Sequence, residues 1–149
     1  MKLRTALLST LAMALLAGFT LVSAQQAGET AIGGYCPVGY KMAKMAVKGD
    51  PAFASTYDGQ TFHLSNAMAK QMFDKAPADY APAYHGYCAS AVAKGMKVKA
   101  DPTLFSVVNG KTYLFSTAMA KEMFDKDQKN MIAMADKNWP TVAKAKPMQ

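Results

Sequence analysis

Few residues in this chain are equipped for chemistry. It holds 2 cysteines and 2 histidines, and one of each falls in His85-Gly86-Tyr87-Cys88. From that spacing an imidazole and a thiolate can reach one soft metal ion. A pair supplies only two ligands, and a copper or zinc centre needs at least one more. Cys36 is the expected third, with His63 and the thioethers of Met42 and Met45 as further material for Cu(I). The expected metal site is therefore Cys88, His85 and Cys36, with copper ahead of zinc. The same residues allow a plainer outcome. In an oxidising compartment Cys36 and Cys88 are equally suited to a disulfide, which leaves a structural or partner-binding module without metal. His63 lies on a polar strand face and reads as a solvated side chain. The sequence has no Cys-x-x-Cys pair, no Gly-rich phosphate loop and no nucleophile-elbow serine, so an enzyme is not expected.

Compartment follows from the first residues. Lys2 and Arg4 precede an apolar run from Ala6 to Val22, and Val22-Ser23-Ala24 offers the small residues a signal peptidase reads. Residues 1–24 are expected to be an export signal, giving a periplasmic or secreted protein with no stable membrane span after cleavage. An uncleaved anchor is the competing reading. Beyond residue 24 there are 15 lysines, 10 acidic residues and no arginine. Scattered lysines are poor at bidentate phosphate or guanine contacts, so nucleic acid is not an expected partner. A metal ion or another protein is. With 51% apolar residues the chain of 149 has material for a folded core.

What must position these groups is a duplication. Displaced by 51 residues, Val47–Lys75 aligns with Val98–Lys126 at 16 identical positions of 29. Upstream, Gly34-Tyr35-Cys36 matches Gly86-Tyr87-Cys88 after a one-residue gap, so the cysteines are one position seen twice. Two units follow, 34–85 and 86–140, flanked by loose segments at 25–33 and 141–149.

In each unit a run of strand formers is divided by Asp58-Gly59 or Asn109-Gly110, the dipeptides that suit a type I′ hairpin turn. A two-residue loop pairs Tyr57 with Gln60, Ser55 with Phe62 and Phe53 with Leu64. In the second hairpin Leu104, Val108, Tyr113 and Phe115 share one face while Phe105, Val107 and Leu114 fill the other. Burial on both faces places it centrally in one sheet, with the first hairpin nearer an edge. Ser65 and Ser116 are positioned to cap helices over 66–74 and 117–125. There Met68, Met72, Met119 and Met123 recur at core spacing. Met42, Met45, Met131 and Met134 are open to other roles. A last helix is expected over 129–137, ending before Asn138-Trp139-Pro140. The expected fold is α+β: two β-hairpin-plus-helix (ββα) repeats sharing one small sheet and core, with a C-terminal helix.

Several segments together carry a family resemblance. Tyr57-Asp58-Gly59-Gln60-Thr61-Phe62, the helix after Ser65 with Phe73, Asp79-Tyr80-Ala81-Pro82, Gly86-Tyr87-Cys88-Ala89 and Ala135-Asp136-Lys137-Asn138-Trp139-Pro140 resemble an exported YHS domain-containing protein over about Gly34 to Pro140. The resemblance implies small hairpin-plus-helix modules with a metal-handling role. The chain departs from the metal-binding version of that family. Ser65, Ala69, Ser116 and Ala120 stand where such modules carry cysteines, and Gly39 replaces the cysteine of the leading segment. Any metal site has to be rebuilt from Cys36, Cys88 and His85.

Overall fold

The computed structural model describes residues 29–148; the expected export signal lies outside them. The chain is α+β and repeats one order of elements. The first unit runs from a helical turn at Ala31–Gly34 through α1 (Pro37–Met42), β1 (Asp50–Tyr57), β2 (Gln60–Leu64) and α2 (Ala67–Lys75) to the short α3 (Pro77–Tyr80). The second opens with a helical turn at Ala83–Gly86, the counterpart of Ala31–Gly34, so the repeat starts three residues before the expected boundaries at 34 and 86, and continues through α4 (Ala89–Ala93), β3 (Asp101–Val108), β4 (Lys111–Phe115) and α5 (Ala118–Lys126). It closes with α6 (Gln128–Val142). Among the described residues no helix is long and apolar enough to cross a membrane.

Both hairpins turn where the sequence indicates. Asp58 and Gly59 have φ of 48° and 72°, and Asn109 and Gly110 have 50° and 76°, the left-handed pair of a type I′ turn. Tyr57 faces Gln60 and Ser55 faces Phe62 as expected, but Leu64 pairs with Asp50 instead of Phe53. Phe115 likewise pairs with Asp101. The irregularity has the same cause in both copies. Asp50 and Asp101 carboxylates accept the N–H groups of Ala52 and Thr103, both at 2.8 Å. This local turn, next to prolines that cannot donate, pulls the strand start out of register.

The single shared sheet is not formed: each hairpin is its own two-stranded sheet. The two-sided burial of the second hairpin is nonetheless real. Leu104, Val108, Tyr113 and Phe115 pack into one cluster with Tyr84, Val92, Phe124, Ala135 and Val142. Phe105 and Leu114, on the reverse face, enter a second cluster with Cys36, Tyr40, Phe62, Leu64 and Phe73. The hairpin is buried because it lies between the two cores, where side chains on opposite faces serve different units.

The helices begin one residue later than the serines suggest. Asn66 and Thr117 are the N-caps, their side chains accepting the N–H of Ala69 at 2.9 Å and of Ala120 at 3.1 Å. Ser116 instead donates to the Cys88 sulfur at 3.3 Å. The inward stripe is Ala69 with Phe73, and Ala120 with Phe124, each four apart. Met68 and Met119 consequently point outward, 71% and 72% exposed. At the ends, Ala31 and Ile32 are buried, so the looseness expected up to residue 33 does not reach them. Helix α6 passes through Pro140, which costs about 3 kcal/mol in a helix interior. Offsetting this, Ala135 and Val142 are buried and Trp139 packs against the same cluster. The Asn138 amide also caps α4 by donating to the Val92 and Ala93 carbonyls. The tail is not wholly loose either, since the Met148 N–H donates to the Lys97 carbonyl at 2.7 Å.

Candidate functional site

The two units differ most tellingly at their opening turns. Each turn holds two successive left-handed residues before a glycine: Ile32 and Gly33, with φ of 49° and 60°, and Tyr84 and His85, both at 53°. In the second copy a histidine thus occupies the position that glycine fills in the first. An L-residue there costs about 1–2 kcal/mol, so the substitution is not one that folding favours. Gly86 is required for another reason. A Cβ there would lie 2.5 Å from Ile32 Cγ2, so the first turn docks directly on the second.

The strained turn sends Tyr84 and His85 into a cleft of about 310 Å³ where the units meet. The β1–β2 turn contributes Asp58, β4 contributes Lys111 and Tyr113, and α6 contributes Asp136 and Trp139. His85 Nε2 lies 2.7 Å from Asp58 Oδ2. Its ring meets Trp139 edge-on at a centroid distance of 5.2 Å, and its carbonyl accepts from Gln60 Nε2 at 3.1 Å. A neighbouring cleft of about 280 Å³ shares His85 and Gln60.

Beneath His85, the Tyr84 hydroxyl donates to Asp136 Oδ1 at 2.8 Å. Its ring packs on Trp139 at 5.6 Å and on Tyr113 at 5.9 Å. Burial, with the Asp136 hydrogen bond and charge, holds the Tyr84 phenol well above its ordinary pKa. Tyr113 is raised by burial and by the same carboxylate. Asp136 has no ion-pair partner among the described residues. Lys111 does not supply one: its ammonium donates to the Ala78 carbonyl at 3.0 Å. Burial, with the nearby Lys41 charge, pushes the Lys111 pKa down.

The two cysteines among the expected metal ligands fall in different core clusters. Cys88 is 1% exposed in one core cluster and Cys36 is 0% exposed in the other. Their equivalence is preserved, since the Cys36 N–H donates to the Val47 carbonyl at 2.7 Å and the Cys88 N–H to the Val98 carbonyl at 2.9 Å. Both are free thiols, with no bond between them. The Cys88 sulfur is engaged by Ser116 while His85 turns toward Asp58 and Trp139. His63 is half-buried beside Gly34. Among the described residues no three His, Cys, Asp or Glu side chains come together as a metal-binding group. The residues do not fit a shared copper or zinc centre in this conformation.

What gathers around His85 instead is Asp58, Tyr84, Asp136 and Trp139. Sequence reasoning passed over Tyr84 and Asp136 as site residues and took Asp58 only as a turn former. Two signals pointed to them. Trp139 is the only tryptophan, and extending the duplication one residue upstream of Gly34 sets Gly33 against His85. The cleft pairs aromatic walls with an uncompensated carboxylate and has no serine, threonine or cysteine in its lining. The chain matches no family model, no curated protein and no solved structure.

Proposed function

We propose that this is an exported, non-catalytic binding protein built from two YHS-like units, and that it holds a small organic ammonium ion in the cleft at their junction. The observation that carries the reading is the Asp136 carboxylate, without an ion-pair partner among the described residues and lining one cleft with Trp139, Tyr84 and Tyr113. Aromatic faces attract cations through their quadrupole, by about 0.5–2 kcal/mol each depending on desolvation, and a carboxylate completes the site. The strained His85 turn supports the same reading, because it gives up stability to place an imidazole at the rim. The repeated hairpin-then-helix order supports the YHS-like part. A soft-metal role through Cys88, Cys36 and His85 would require thiols placed in two different core clusters to meet at one ion with the His85 ring.

Trp139 fluorescence tests the proposal, since no other tryptophan contributes. Titration with tetramethylammonium is expected to change the emission saturably, and Asp136→Asn is expected to weaken the apparent affinity about tenfold, the equivalent of 1.4 kcal/mol. No saturable change with tetramethylammonium, together with stoichiometric Cu(I) uptake lost in Cys88→Ser, would replace this reading with the metal one.

A further inference from the structure

The methionines are distributed against the usual rule. Methionine ordinarily fills cores, yet among the described residues every exposed large hydrophobic side chain is a methionine. There are eight of them, between 36% and 72% exposed. No methionine among the described residues belongs to either set of buried core residues; Met72 and Met131 are only packed against them. Helix propensity does not account for this. Met45, Met96 and Met148 lie outside the helices, and leucine would serve a helix equally well. The duplication keeps the arrangement, with Met68 and Met119 at equivalent positions and nearly equal exposure. The thiols show the opposite pattern, Cys36 and Cys88 being closed off at 0% and 1% exposure.

We infer that the surface methionines are a sacrificial reductant for hypochlorous acid, recycled by a thiol-dependent methionine sulfoxide reductase. A thioether lone pair attacks the chlorine of HOCl, the Cl–O bond breaks and hydroxide leaves. Water oxygen then displaces chloride from sulfur. One thioether and one HOCl thus become one sulfoxide, one proton and one chloride, with sulfur oxidised by two electrons. The reductase returns the thioether at the expense of two thiols, which leave as a disulfide with one water. Sulfoxide formation disrupts a core that contains methionine; here the oxidised positions are solvent-facing and the core of Phe, Tyr, Leu, Val and Ala is untouched. Free thiols normally compete for such oxidants, and their burial removes that competition.

The test is stepwise addition of hypochlorous acid to the folded chain, read by intact mass, peptide mapping and thiol titration. Oxygen is expected to enter at the eight exposed methionines before either thiol is lost, with circular dichroism and the thermal transition retained. Thiol loss first, or unfolding with the first oxygens, would overturn the inference. A hypochlorite-sensitive indicator enzyme in the same solution is expected to survive in proportion to exposed methionine. Replacing Met42, Met45, Met68 and Met119 with leucine, a swap that conserves volume, is expected to remove about half of that protection. Equal protection by the variant would overturn it. Where that variant fails to fold, the order of oxidation in the unaltered chain decides. Sulfoxides that a reductase with thiol cannot reverse would overturn the recycling step.

Discussion

His85 is the residue where fold and proposed function pull in opposite directions. His85→Gly restores the residue found at the equivalent position of the first unit and relieves about 1 kcal/mol of left-handed strain. The variant is expected to unfold at an equal or higher urea concentration while binding tetramethylammonium more weakly. A second residue makes a simpler prediction. Thr112 is buried on β4 and its hydroxyl has no hydrogen-bond partner among the described residues, a condition that costs about 1–3 kcal/mol. Thr112→Val is expected to raise stability by about 1 kcal/mol, measured by chemical denaturation. At this scale the sequence was legible in kind but not in direction. His85-x-x-Cys88 was read as a ligand pair, and the left-handed turn at Tyr84 and His85 was not foreseen. Its left-handed backbone sends the imidazole to the rim and the thiol into the core, and spacing alone does not encode that divergence.

Each hairpin is tied to the helix that follows it by the same three side chains. Ser55 and Lys70 hydrogen-bond to Asp74, and Ser106 and Lys121 to Asp125. Hydrogen bonds from Lys70 and then Ser55 hold the Asp74 carboxyl below its ordinary 3.8. For Asp125 partial burial pushes upward, but Lys121, Ser106 and Gln128 outweigh it and the net shift is down. A depressed folded-state pKa contributes stability above the unfolded value and loses it as pH falls through the folded value. Stability is therefore expected to decline below about pH 3.8, and the decline should be shallower in Ser55→Ala, as followed by thermal denaturation across pH. The helix faces make a second prediction. Met68→Ala and Met119→Ala are expected to change stability by less than about 0.5 kcal/mol, whereas Phe73→Ala should cost about 3–5 kcal/mol. The hairpins, their turns and the helices that follow them were readable from pattern, whereas the short α1, α3 and α4 carry too few periodic residues to show and were missed. The capping residue was not, because Ser65-Asn66 and Ser116-Thr117 each offer two competent caps, and a shift of one residue turns the methionines from core to surface.

At the scale of the whole molecule, duplication explains both the order of elements and the location of the cleft. Two units of about fifty residues are each at the lower limit of independent folding, and β4 joins them by giving one face to each core. The repeat was visible in the sequence. The absence of a common sheet was not, because two-sided burial reads the same for a central strand and for one wedged between two clusters. At the junction Ile32 also packs directly on Gly86. Gly86→Ala, which adds both a clash and a left-handed penalty, is expected to loosen the junction and reduce ammonium binding more than Gly59→Ala, whose Cβ would meet nothing.

The claim that the junction is a binding site is tested most directly by residue-resolved NMR of the chain titrated with tetramethylammonium. The account predicts saturable shifts confined to the cleft, at Asp58, Tyr84, His85, Asp136 and Trp139, and their loss in Asp136→Asn. Shifts that never saturate, or that centre on residues remote from Trp139, would contradict it.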